Sequence, residues 1–443
     1  MPTSAPSQNP YLRLYLPMAL EEPSTAAKKC LLQGILAVAA YNKAELSTSD
    51  RRTYLRQAAE FKNQAAEMLR DIVLGGNDSR PSTAAGASVA LGDDTDKQAL
   101  LAAALTMTTV EVFSGEDQGK GYESLLLGKR IIRLTGGLGW WLQDGPRMTL
   151  LQIFRCLEIV AHTSGWLCVS RSSMLSEEDV SDATSTSSSS DSTAEMESLA
   201  MAPSPTHQYT LDVSFGVAMK TLRCLNQIIE LSSLKSNGSA GEWRDTESAQ
   251  KVERLEEELF DSLDDPDAFS GHQEAPGGSS AIQEGISSYI SEEIKENHVW
   301  AFHYATAIFF RRAMCDGRAS DTVNPRSTDR PTGQELVSKA LEHLENVDAL
   351  SSDIAVANTL WPGFVAAVEA VDMDLRHRAL IWFARARRHG IGNIAKAKAL
   401  VMEVWRRVDR SGHSDPSSGR RGELGHVDWR DVMREKGMYI MLT

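Results

Sequence analysis

The chain contains no Cys-x-x-Cys. Its five cysteines, Cys30, Cys156, Cys168, Cys224 and Cys315, are so scattered that no two lie within four positions of each other. That spacing excludes a zinc cluster, whose thiolates must converge from close-set groups on a tetrahedral metal. It also offers no disulfide framework, and it fits buried thiols in a reducing compartment. His-Glu-x-x-His, Gly-x-Ser-x-Gly and a phosphate loop are missing as well. Gly119-Lys-Gly121 and Gly136-Gly-Leu-Gly139 follow no strand pattern, so they read as helix-ending turns rather than a nucleotide site. With no close Cys/His/Asp set for nucleophilic work, the expected activity is binding rather than catalysis, and the chain is read as no enzyme. The longest apolar run, around Ala99–Val112, is interrupted by threonines and Glu111 and is too short to span a bilayer. Met1-Pro-Thr-Ser-Ala-Pro has neither the basic start nor the apolar stretch of a secretion signal. A soluble intracellular protein with no membrane contact is the expectation. No segment sustains strand alternation and no fixed repeat period appears.

What is there is helical periodicity. With 443 residues and 42% apolar content, the chain has ample material for a core. Ser24 reads as the cap of a helix that lines up Leu31, Ile35 and Val38, and a second runs from about Asp50 to Leu74. Asp93, Asp94 and Asp96 place negative charge where it favours the start of another, carrying Leu100, Leu101, Ala104, Leu105 and Thr108. Further helices are expected over about Thr149–His162, Leu211–Leu234, Lys251–Leu263, Ile282–Met314 (one or two) and Gly333–Leu350. The expected fold class is all-α, an irregular multi-helix domain with long disordered surface loops. Residues 1–23, rich in proline, read as an extended N-terminal arm, and residues 24–443 as the helical domain. Two inserts, at about 171–208 and 262–281, are too polar to offset the entropy of ordering and are expected to be disordered.

The stretch from Asn358 to Asp409 reads as the organiser of the chain. Trp361-Pro362 is placed to break or kink a helix. Leu375, Ala379, Trp382 and Ala386 then form an apolar stripe, Gly390 and Gly392 end that helix, and Asn393 reads as the cap of the next. Ile394, Ala397, Val401, Val404 and Val408 share its inward face, with Trp405 at the edge. Formal net charge is −14, yet Asp372–Arg410 holds ten Lys/Arg against four acids, leaving +6 there and −20 elsewhere. Arg385, Arg387, Arg388, Lys396 and Lys398 are therefore read as a solvated helical face or, functionally, as a basic docking face. The acidic remainder argues against general phosphate-backbone binding.

Leu360-Trp-Pro-Gly-Phe364, Ile381-Trp-Phe383, Gly390-Ile-Gly-Asn393, Val404-Trp-Arg406 and Asp428-Trp-Arg-Asp-Val-Met433 together resemble the fungal-specific transcription factor domain. Upstream, Leu31–Tyr41 resembles its first helix, Ala99–Gly115 with Tyr122–Gly137 a helix, a Ser-Gly break and a second helix, and His298–Arg312 its central aromatic helix. The resemblance implies the all-helical regulatory region that follows a binuclear zinc cluster in fungal transcription factors, and a nuclear location; otherwise the chain would be cytoplasmic. That family's DNA reader needs six close-set cysteines, which this chain lacks. No zinc or other cofactor is expected here, and DNA would be reached only indirectly or through an upstream module. Expected partners are other transcription-regulatory proteins, a second copy in a homodimer, and a small-molecule effector. Trp300, His303, Tyr304 and Trp361 are the candidate lining of an effector pocket between helices; read without function, they are core and helix-junction residues. The alternative function is a helical adaptor or scaffold derived from such a regulator that has lost DNA binding.

Overall fold

Two stretches of this chain are apolar on every side, and they become the axes of the fold. In the helix Asp94–Ser114 every residue from Ala99 to Thr108 is buried, as are Val110, Glu111 and Val112. In the helix Leu360–Val368 every residue is buried. A helix with no polar face is satisfied only by neighbours all round it, and the remaining elements supply them. The computed structural model describes residues 9–75, 92–116, 119–143, 145–165, 211–237, 246–263, 265, 268–269, 282–314, 330–351, 359–411 and 427–442.

A π turn at Tyr11–Tyr15 leads into α1 (Leu16–Leu20), followed by α2 (Ala26–Leu46), α3 (Arg51–Leu74), α4 (Asp94–Ser114) and α5 (Lys120–Leu134). Then come α6 (Leu138–Trp141), α7 (Gly145–Thr163), α8 (Leu211–Ser214), α9 (Met219–Asn237), α10 (Thr246–Asp261) and α11 (Ile282–Met314). The chain closes with α12 (Gly333–Leu350), α13 (Leu360–Val368), α14 (Met373–Ala386), a 3-10 turn at Arg387–His389, α15 (Asn393–Ser411) and α16 (Trp429–Glu435). Among the described residues no strand forms; Tyr439 is an isolated bridge position. The protein is all-α.

Helices α2, α3, α5 and α7 pack around α4, and α11, α12, α14 and α15 around α13, with α9 bridging α7 to α11. Side chains fix the starts. Asp93 accepts from the Asp96 N–H at 2.8 Å, and Thr332 with Glu335 forms a capping box at α12. Buried Lys62 on α3 meets buried Glu111 on α4 at 2.7 Å, so the one charge deep in the α4 face is paired.

The two groups join backbone to backbone. Gly115 ends α4 in the left-handed region (φ 66°), and the Gly392 N–H donates to the Phe113 carbonyl at 3.1 Å. A Cβ on Gly392 would stand 2.5 Å from that carbonyl oxygen, and one on Gly115 would stand 2.7 Å from the Gly392 carbonyl. On the other side the Asn42 amide donates to the His389 carbonyl at 2.7 Å. The Gly390–Gly392 turn is thus wedged between α2 and α4.

Several expectations are corrected. The arm is not extended where it is described: residues 10–20 are helical, and Tyr15, Met18 and Ala19 are buried. Pro17 sits in the first turn of α1, where a missing N–H costs nothing. Trp361-Pro362 breaks no helix, because α13 begins at Leu360 and the proline again falls in the first turn. Asn393 does not cap α15; it is buried, and its amide donates to the Met441 carbonyl at 2.5 Å. Leu211–Leu234 is two helices, separated at Gly216 (φ 65°), where a Cβ would meet that of His298 at 2.4 Å. Ile282–Met314 is one helix. The 262–281 insert is not wholly free of packing, since Phe269 lies edge-on to Trp300 at 4.9 Å. The 171–208 insert lies outside the described residues.

Candidate functional site

Glu293, Asn297, Trp300 and Tyr304 recur at intervals of four, three and four, which puts them along one side of α11. Opposite them α12 presents His343. Between the helices lies an open groove of about 540 Å³, closed at one end by Leu263 and edged by Glu292 and Glu296.

The aromatic wall is layered. The His343 ring stacks on Trp300 (centroids 6.1 Å apart, planes 14° apart) and on Tyr304 (5.5 Å, 24°). Asn297 Oδ1 accepts from His343 Nδ1 at 2.9 Å and from the Asn346 amide at 3.2 Å. Because an amide oxygen only accepts, the His343 proton sits on Nδ1. Burial pushes this imidazole down to about 4, so it is neutral at physiological pH and presents a ring rather than a charge.

Of the four residues expected to line a pocket, Trp300 and Tyr304 do so. His303 and Trp361 do not. His303 is fully buried behind the wall, where Nε2–H donates to the Leu259 carbonyl and Nδ1 accepts from the Thr221 hydroxyl, both at 3.0 Å. Burial holds it near 4 as well. Trp361 stacks on Phe302 at 4.7 Å and donates its indole N–H to Thr163 Oγ1 at 3.0 Å, within the core. His343, Asn297 and the three glutamates were missed. The α11 spacing was there to be read for Glu293 and Asn297, but nothing in sequence ties them to His343, which is 46 positions from Asn297.

The basic run is largely tied down. Arg378 holds Glu345 of α12 with two hydrogen bonds of 2.8 Å and also donates to Ser338 Oγ. Arg376 reaches Asp409 at 2.9 Å, and Arg407 reaches Glu435 at 2.6 Å. Of the five residues expected on a docking face, Arg385 and Arg388 converge on buried Asp348, at 3.9 and 3.4 Å. Arg387 is exposed, while Lys396 and Lys398 on α15 are half-buried.

Burial pushes the thiols of Cys30 and Cys224 up to about 12 and that of Cys156 higher still, so none is a reactive thiolate. Among the described residues no group of three or more His, Cys, Asp or Glu converges to hold a metal, and no helix is long and apolar enough to cross a membrane.

A family model described as the fungal specific transcription factor domain matches residues 1–443. A curated protein of Saccharomyces cerevisiae, arginine metabolism regulation protein II, is 23% identical over 174 residues. That alignment takes in 39% of this chain but only 16% of the yeast protein. No solved structure matches.

Proposed function

Because this chain belongs to the fungal specific transcription factor domain family, we propose that it is the effector-sensing and assembly domain of a transcription regulator, acting in the nucleus by binding rather than catalysis. The observation that carries this reading is the match of the family model along the whole chain. The regulator named in the yeast alignment supports it over a smaller stretch. The groove between α11 and α12 suits an effector, being of small-molecule size, walled by aromatic rings and edged by a few polar groups. The net charge of −14 favours an indirect route to DNA, through a protein partner or a separate DNA-reading module.

The test is to tether the chain to an unrelated DNA-binding domain upstream of a reporter. The expected result is a change in reporter output that depends on the folded chain. A reporter left unchanged at matched expression, with no transcription protein co-purifying, would favour the adaptor reading instead.

A further inference from the structure

The groove's chemistry has a sign. One wall is the stacked Trp300, Tyr304 and His343 rings, and an aromatic face carries the negative lobe of its quadrupole toward whatever lies on it. The rim is acidic. Glu292 is occupied by Lys295, but Glu293 and Glu296 have no basic partner among the described residues. They lie on the same helix, seven and four positions before Trp300, so their carboxylates stand over the turns that carry the aromatic wall. The nearby cations are engaged: Lys295 with Glu292 and Asp212, and Lys339 with Glu342 at 3.0 Å. His343 contributes no positive charge. An anion would meet unscreened carboxylates here, and a neutral ligand would leave them unanswered.

We infer that this groove binds a small organic cation, its charged head against the Trp300 and Tyr304 rings and its charge answered by Glu293 and Glu296. An organic head fits better than a metal ion, because the aromatic wall rewards a weakly hydrated cation and no metal-binding set of ligands converges among the described residues. The assignment rests on reading the groove as the effector site and names the class of its ligand.

The test is calorimetric titration of the full chain with two matched pairs: choline against its uncharged tert-butyl isostere, and methylguanidinium against methylurea. The expected result is saturable binding of at least one cation, weakening as salt is added, with the neutral partner binding at least roughly tenfold more weakly. The double variant Glu293→Gln/Glu296→Gln should lose roughly tenfold in cation affinity while keeping its melting temperature. Equal binding of a cation and its neutral isostere overturns the inference. So does unchanged affinity in the double variant, or no binding of either cation. Any of these leaves the tethered-reporter result untouched, so this assignment and the transcriptional reading can fail separately.

Discussion

The six-membered edge of the Trp382 indole fills the space that a side chain at Gly363 would need. A Cβ on Gly363 would stand 2.3 Å from Cη2, 2.4 Å from Cζ2 and 2.6 Å from Cζ3 of that ring. Glycine inside a helix costs about 1 kcal/mol relative to alanine. Here the loss is offset by seating a buried tryptophan of α14 directly on the backbone of α13.

That relationship predicts a sign reversal. Gly363→Ala should destabilise the protein by about 1–3 kcal/mol through overpacking, despite the better helix propensity of alanine. Trp382→Ala should cost roughly 3–5 kcal/mol. Once the ring is gone the added methyl has room, so Gly363→Ala in the Trp382→Ala background should be neutral or stabilising. Denaturant unfolding of the four proteins measures this, and simple additivity would show that the ring does not hold that space.

The basic run should divide by mutation. Arg387→Ala should change stability by no more than about 0.5 kcal/mol, because the side chain is exposed and no ion pair fixes it. Arg378→Ala should cost about 1 kcal/mol or more, because it removes a two-point contact between α14 and α12 and strips Glu345 of its partner. Thermal melts of both variants decide it, and equal melting temperatures would contradict the pairing described.

Acid should weaken the protein before carboxylates titrate. The folded pKa of His303 is about 4, below the ordinary histidine value of 6.5, because burial disfavours the charged ring. The unfolded chain therefore binds this proton first, and stability rises with pH through that window. Lowering the pH from about 7 to 4 should remove on the order of 3 kcal/mol through this group. His343 and His389, each also near 4, add in the same direction. His303→Gln should flatten the slope between pH 6.5 and pH 4 in denaturation measured across pH; an unchanged slope would mean His303 is not the titrating group.

At the turn that joins the two helix groups, Gly392→Ala should destabilise strongly, since the new methyl would collide with the Phe113 carbonyl rather than with a movable side chain. Gly437→Ala is the control: its φ is also positive (62°), but no atom lies within 4 Å of where the Cβ would go. Melting temperatures should separate the two.

Most helices were legible because amphipathic elements write their period into the sequence. α12 fell at Gly333–Leu350 as expected, helped by a cap at Thr332. What the pattern hides is rank. A helix buried on every side carries no stripe, so α4 read as one helix among many while Asn358–Asp409 read as the organiser. Prolines misled twice for one reason. Pro17 and Pro362 look like breakers, yet each occupies a first turn where the helix asks nothing of its nitrogen. At the candidate site, the α11 aromatics were visible as a cluster. Which of them faced the groove depended on where α12 and α10 landed, and that is fixed by tertiary packing alone.

The wedge of Gly390–Gly392 against Gly115 has a consequence for how this protein can be probed. Alanine scanning works by subtraction, truncating a side chain and reading the loss. A joint made of main chain has nothing to subtract, so such a scan would pass across it and report no hot spot. Its importance shows only under additive substitution, one methyl at a time. Natural variation should be similarly lopsided: many side chains around the joint can change, while the glycines that form it can be replaced only at the cost of separating the two halves.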